Sequence, residues 1–580
     1  MNNRPSFSDA QQLLAVARGQ QPAPLVLKGA SVLNVFSGEF LDQDVAICGD
    51  RIAGLGHYQG HQEMNLTGRT LVPGFIDGHM HLESSMMTPR QFARAVVPRG
   101  TTTVVTDPHE IANVLGAPGI YYLLESAAGL PLDMWVMRSS CVPATHLENA
   151  GASLTAADLA QLQHPRLLGL AEMMNFPGLV HGDPECLKKV LQTGDQPVDG
   201  HAPRLTGREL CAYIAAGVQS DHECTTAEEA REKLRLGMHL MLREGSVTRD
   251  IEALLPAVDA VNAHRCFFVT DDREPIDLQR EGHIDFCIRK AIRLGCPVAR
   301  AYTMASYHAA RYFQLHFLGA LAPGYTADLV VIGDREQVSV EKVMKRGQWV
   351  GEQGRLIWTG TAPVVAAPAP TVHLPPLQVS CFEIHNPHDE VHVIELIPHQ
   401  IVTGRSTARP PRINGKLSAD PSQDVLKLAV VERHKATGHI GLGFVRGFGL
   451  KRGAIASTVA HDSHNLVIAG CSDEDMLQAA HEVEKLNGGW VVVADGQLLA
   501  ALPLPIAGLL SDQELEKVAQ ANLDLIEATQ KLGGTAPNPF MSLSFLALPV
   551  IPSLKLTDLG LVDVDLFSLV PLNTDALRAS

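Results

Sequence analysis

The rhythm of apolar and polar positions changes three times along the chain. Residues 24–70 carry short β-type runs separated by turn-forming residues: Leu25-Val26-Leu27, Ser31-Val32-Leu33, Asp44-Val45-Ala46-Ile47 and Arg51-Ile52-Ala53. They predict a small β-domain. From 71 to 320, short apolar runs alternate with helical segments, the pattern of βα units. Val104-Val105-Thr106, Met134-Trp135-Val136-Met137, Leu167-Leu168-Gly169-Leu170, Gly217-Val218-Gln219-Ser220 and Cys266-Phe267-Phe268-Val269-Thr270 read as buried parallel strands. Segments 226–236 and 248–258 read as helices between them. Strand texture returns at Ala327-Asp328-Leu329-Val330-Val331-Ile332 and Gln348-Trp349-Val350. A stretch rich in Pro, Ala and Val up to Pro376 predicts an extended linker. Beyond it, strands over 391–396 and 489–493 and helices over 473–486 and 512–531 predict an α+β unit.

Composition narrows the function classes. A chain of 580 residues is too long for one compact domain. Its 46% hydrophobic and 19% charged residues fit a soluble protein with large cores. A formal charge of −16 without a Lys/Arg block argues against nucleic acid as a partner. Met1 to Gln20 is polar and lacks the apolar core of a signal peptide, and no apolar run reaches the roughly 20 residues needed to cross a bilayer. Membrane partners are therefore not expected. Ten cysteines without a C-x-x-C pair predict reduced thiols and a cytoplasmic location.

The chemistry concentrates in Leu71-Val72-Pro73-Gly74-Phe75-Ile76-Asp77-Gly78-His79-Met80-His81. In a strand, residues i and i+2 share a face, so His79 and His81 can aim two imidazoles at one point. Thr106-Asp107-Pro108-His109-Glu110 follows another apolar run, and Ala460-His461-Asp462-Ser463-His464-Asn465 concentrates metal-competent side chains in the C-terminal unit. The first reads as a site-lining or auxiliary metal segment, or as a structural turn. The second reads as a loop over the catalytic mouth, or as a polar turn. Gly441-Leu442-Gly443-Phe444-Val445-Arg446-Gly447 reads as a β-turn rather than a nucleotide loop, because an isolated glycine pattern is weak.

Pro73-Gly74-Phe75-Ile76-Asp77-Gly78-His79-Met80-His81 resembles the first-strand motif of the amidohydrolase superfamily, metal-dependent hydrolases and deaminases built on a (β/α)8 barrel. Barrel enzymes carry their chemistry at the C-terminal strand ends. Positions of that kind hold His79, His81, Glu172, His201, His222 and Asp271, a set suited to two cations sharing one carboxylate. Glu172, where hydantoinase-like relatives use a carboxylated lysine, joins Met80, Leu82-Glu83-Ser84-Ser85, the Asp107-Pro108-His109-Glu110 segment and the large C-terminal unit. Together these resemble the bacterial adenine deaminases.

The resemblance implies an α/β fold: a (β/α)8 metal-dependent hydrolase barrel over 71–320, a discontinuous small β-domain formed by 20–70 plus 321–362, a linker at 363–376 and a C-terminal α+β domain at 377–580. It implies hydrolysis of adenine to hypoxanthine and ammonia in purine salvage and adenine catabolism. The cofactors would be two divalent metal ions, Mn2+ or Fe2+ in preference to Zn2+, held by His79, His81, Glu172, His201, His222 and Asp271. Asp271 would carry the proton, and Asp272 would point to the opposite face if the strand continued. Glu83 would act as acid toward purine N1. His109, Glu110, His461, Asp462 and His464 would be substrate-binding or auxiliary. The partner would be a small-molecule purine base, and the protein a homo-oligomer, a dimer by family expectation. Two alternatives stay open: another amidohydrolase acting on a cyclic amide or other amino-heterocycle, and an inactive metal- or purine-binding protein on the same scaffold.

Overall fold

The computed structural model describes residues 6–398 and 400–574. Eight short strands follow one another through its centre: β1 (Phe75–Met80), β2 (Thr101–Thr106), β3 (Asp133–Arg138), β4 (Leu167–Met173), β5 (Val198–Gly200), β6 (Ser220–Asp221), β7 (His239–Arg243) and β8 (Cys266–Val269). β1 to β5 pair in order as parallel neighbours, and so do β6 to β8. Two sets of backbone hydrogen bonds join these arcs. Gln219 N donates to Val198 O at 2.9 Å, between β5 and β6. Past β8, Asp271 N donates to His79 O at 3.0 Å and His81 N to Asp271 O at 3.3 Å. The ring therefore closes at the His-x-His pair itself.

Helices between the strands cover the outside, and the interior is packed by alternating residues such as Ile76, Val105, Met137, Ala171, Met241 and Phe267. This is the packed core of a (β/α)8 barrel, with the strand C-termini at one mouth. The strand read at 217–220 shrinks to Ser220–Asp221, and the helix read at 248–258 becomes Ile251–Leu254 plus a 3-10 turn over Leu255–Ala257. Pro256 has no N–H to extend the α-helical ladder.

A second sheet takes strands from both sides of the barrel in sequence. Thr70–Pro73 lies between Ala23–Asn34 and Leu329–Ile332, with Leu329 opposite Pro73 and Ile332 opposite Thr70. Helix Phe7–Ala17, which the polar N-terminus did not announce, packs Val16 against Ala23, Val26, Ala46 and Ala53.

The C-terminal portion is built on an eight-stranded sheet. Alternate residues face opposite sides: Ala454, Ala456, Val491 and Val493 pack with helix Asp473–Lys485, while Ile455, Trp490 and Val492 pack with helix Leu515–Lys531. Ser472 caps the first helix by accepting from Asp475 N at 3.2 Å, and three acids occupy its first turn. Gly441 to Arg446 corrects the turn reading, since it lies in strand Ile440–Arg446. A Cβ at Gly441 would collide with the Thr557 carbonyl, so the glycine admits a closely crossing backbone.

The sheet unit and barrel are pinned together near the barrel mouth. Asn149 Nδ2 donates to Asp558 at 2.6 Å, Thr557 Oγ1 to Leu147 O at 2.7 Å, and Asn465 Nδ2 to Asn149 O at 2.8 Å.

Candidate active site

At the barrel mouth the two carboxylate oxygens of Glu172 face different groups of imidazoles. Oε1 lies 3.4 Å from His81 Nε2, 3.5 Å from His109 Nδ1 and 3.9 Å from His79 Nε2. Oε2 lies 2.7 Å from His201 Nδ1 and 3.2 Å from His222 Nε2. Asp271 Oδ1 joins the first group, at 3.1 Å from His81 Nε2 and 3.6 Å from His79 Nε2. All six of the side chains read from the sequence as ligands are buried and meet here.

Local structure explains the aim of each. His79 and His81 sit two residues apart at the end of β1, so both face inward. Gly78 beside them leaves room for the Phe267 ring, which a Cβ would overlap. Glu172 lies on β4, while His201 and His222 directly follow β5 and β6. Asp271 comes two residues after β8, with φ at +55°, a left-handed conformation that aspartate tolerates better than most residues.

That turn corrects the expectation for Asp272. The strand does not continue, so Asp272 also reaches the cavity, where Ser84 Oγ donates to it.

A pair of divalent cations sets a spacing for its donors: ligands at about 2.1 Å from a tetrahedral ion stand about 3.4 Å apart. The inward atoms come near it: in the trios His79, His81 and Asp271, His79, Glu172 and His222, and His81, His109 and Glu172, they lie within 4.8 Å of one another. His79 Nε2 is buried without a hydrogen-bond partner. His81 Nδ1 lies 3.0 Å from the Asp107 carbonyl, which leaves Nε2 free to face inward. The residues fit.

The electrostatics agree. Burial opposes ionisation of Glu172, but His222 and His201 outweigh it and hold the carboxyl well below its usual range. Burial likewise opposes the charge on Asp271, and His79, His81 and Arg243 outweigh it. Two ionised acids among buried imidazoles form a cavity that favours positive charge.

Two partners escaped the sequence reading, and a third, Asp107, stood in a segment read as site-lining. Glu223 Oε1 lies 3.5 Å from His222 Nε2 and 3.8 Å from His201 Nδ1. Arg243, fully buried at the end of β7, donates to Asp271 Oδ2 at 3.0 Å and pairs with Glu223 and Asp250. Asp107 Oδ2 lies 3.0 Å from His109 Nδ1. The available signals were the position of Glu223 directly after His222 and a five-residue strand ending in Arg243 that the sequence reading passed over.

The auxiliary candidates divide. His109, His461 and Asp462 line the cavity together with Phe545, Leu548 and Ile551. Asp462 Oδ1 stands 3.4 Å from His109 Nε2, and His461 Nδ1 stands 3.4 Å from Glu110 Oε1. The His461 ring stacks on Phe545 with centroids 4.5 Å apart. The C-terminal loop therefore roofs the barrel mouth. His464 lies outside the lining, with its Nδ1 accepting from Ala460 N at 3.0 Å.

Glu83 and Glu110 are also outside the lining. Burial and the neighbouring Glu110 push the Glu83 carboxyl up to about 8, so it keeps its proton at neutral pH, and its Oε1 accepts from Ile111 N at 3.0 Å.

Residues 70–350 match the amidohydrolase family, and residues 400–568 match the adenine deaminase C-terminal domain. Three curated relatives span nearly the whole chain. Adenine deaminase 2 of Carboxydothermus hydrogenoformans is 51% identical, covering 97% of this chain and 99% of its own length. The adenine deaminases of Dehalococcoides mccartyi and Cereibacter sphaeroides are 47% and 48% identical, each covering 98% of this chain and 100% of its own length. Full-length similarity of that degree, together with the convergent histidines and carboxylates, places the chain in the adenine deaminase family of amidohydrolases.

Proposed function

We propose that the protein hydrolyses adenine to hypoxanthine and ammonia. The observation that carries this reading is the Glu172 carboxylate set between two imidazole groups beneath a roof from the adenine deaminase C-terminal domain. His79, His81, Glu172, His201, His222 and Asp271 would hold two divalent cations, Mn2+ or Fe2+ rather than Zn2+. When bound, such ions supply the Lewis acidity that makes water a competent nucleophile near neutral pH. An imidazole and carboxylate set suits iron, manganese and zinc alike, and the family resemblance tilts the choice to Mn2+ or Fe2+.

The chain's own residues do the rest. Asp271 accepts the proton of the attacking water and returns it to the departing amine, with Arg243 fixing its outer oxygen. Glu83, whose carboxyl would have to turn in from behind the lining, would supply the proton for purine N1 and take one back from the C6 hydroxyl as the carbonyl forms. This role rests on its retained proton and its position just past the His79–His81 pair. His109, His461 and Asp462 contact the purine edge, while Phe545, Leu548 and Ile551 give its faces an apolar wall and exclude water. Glu110 and His464 support this roof from behind.

The same reading divides the chain into the barrel at 71–320, the composite β-domain of 20–70 plus 321–362, a linker at 363–376 and the C-terminal domain at 377–580. It places a homodimer in the cytoplasm, serving purine salvage. No helix among the described residues is long and apolar enough to cross a membrane.

The test is ammonia release from a panel of purines, pyrimidines and hydantoins, with metal content measured on the same sample. Adenine turnover that a chelator abolishes and Mn2+ or Fe2+ restores is the expected result. Asp271→Asn should lower kcat by about 10²–10⁴-fold while the fold persists. Near-normal turnover in that variant would remove Asp271 from its role, and hydantoin opening without ammonia release would remove adenine.

A further inference from the structure

The reaction cavity offers a volume of about 30 Å³. At about 10–15 Å³ for each water-sized occupant, that is room for roughly two waters, so the space must widen before a purine ring can meet His109, His461 and Asp462. A second cavity of about 500 Å³ adjoins it, between the barrel loops and the C-terminal domain. Six residues border both spaces: Glu223, Arg243, Val247, Thr248, Ile401 and Ile551. Arg204, Thr225 and Ser246 from the barrel, and Gln400, Val402 and Pro552 from the C-terminal domain, border only the larger one.

We propose that this larger chamber is a vestibule that binds the purine base before it reaches the reaction cavity, with Ile401 and Ile551 forming the partition between them. The inference rests on the deaminase reading for the identity of its ligand. A flat heteroaromatic base needs apolar faces and polar edges. Val247, Ile401, Val402 and Ile551 supply the first, and Arg204, Ser246, Thr248 and Gln400 the second.

The partition has a built anchor. Lys555 donates from Nζ to the carbonyls of Ile401 and Phe545, both at 2.9 Å, and so ties the partition residue to the aromatic wall of the reaction cavity. The base would pass when Ile401 and Ile551 part from Val247 and Thr248. Arg243, held by Glu223, Asp250 and Asp271, forms a fixed side of the passage.

The experiment fills the vestibule without touching the reaction cavity. Val402→Trp is compared with Val402→Ala and the wild type, with folding and metal content checked in each. Thr225→Trp on the opposite, exposed rim gives the same readout if Val402→Trp does not fold. The expected result is a fall of about tenfold or more in kcat/KM for adenine in the Trp variant, and a smaller fall in Val402→Ala, which removes apolar contact but leaves the chamber open.

A folded, metal-loaded Trp variant with unchanged kcat/KM would overturn the vestibule. If the wild type does not deaminate adenine at all, the deaminase reading fails separately. The vestibule is then judged by the rate at which 1,10-phenanthroline strips the metal. Slower stripping in the Trp variant supports it, and equal stripping overturns it.

Discussion

Lys555 offers the sharpest quantitative prediction. It lies on strand Leu554–Thr557 with 0% of its surface exposed, and its amine donates to the carbonyls of Ile401 and Phe545. Among the described residues no carboxylate offsets its charge, and burial pushes it down from 10.5 to about 7. At about 1.4 kcal/mol per pKa unit, the charged form costs the folded state roughly 5 kcal/mol.

The unfolded chain keeps this proton up to about pH 10.5, whereas the folded chain releases it near pH 7. Below pH 7 both states are protonated and the full cost is present. Between pH 7 and 10.5 the unfolded state holds more protons, so the contribution of Lys555 to stability rises with pH, by at most about 1.4 kcal/mol per unit. Lys555→Met removes that slope. It also removes two hydrogen bonds and leaves the Ile401 carbonyl without its lysine partner, at about 1–3 kcal/mol, while Phe545 O keeps Leu548 N at 3.5 Å. The offset at acid pH is therefore partly cancelled, and the slope is the diagnostic quantity. Paired urea titrations at pH 6, 8 and 9.5, followed by intrinsic fluorescence at matched ionic strength, should show the wild type gaining on Lys555→Met as pH rises. Parallel pH dependences would refute the argument that the lysine is buried without a countercharge.

Two further substitutions probe the site's support. Arg243→Met leaves Asp271, Glu223 and Asp250 without their shared cation and should destabilise the protein by about 3–5 kcal/mol, with kcat falling alongside. An unchanged melting temperature and turnover would deny Arg243 that role. Gly78→Ala sets a methyl against the Phe267 ring and should cost about 1–3 kcal/mol, read by thermal denaturation, with reduced metal occupancy because His79 is its neighbour. Full metal content at normal stability would show that the ring can yield.

Much of this molecule is legible in local pattern. The His79–His81 pair declares itself because a strand repeats every two residues, and Glu172, His201 and His222 follow apolar runs whose ends coincide with the barrel mouth. Helix Asp473–Lys485 declares itself through its serine cap and acidic first turn. Helix Phe7–Ala17 does not, since only Val16 is buried and its exposed side mixes Gln11 and Gln12 with Phe7 and Leu14. The strand from Ile440 to Arg446 was disguised by its glycines, of which Gly441 admits the close passage of another backbone.

The chain by itself therefore determined many of the strands and helices and most of the side chains that can carry the chemistry, because periodicity and capping act between near neighbours. Tertiary structure alone decided what those side chains meet. Closure of the ring brings Asp271 to His79 and His81 across some 190 positions, Arg243 joins three carboxylates from three segments, and His109 meets Asp462 from a separate sheet. Such distant contacts are selected by the packing of whole elements, and no local pattern encodes their partners.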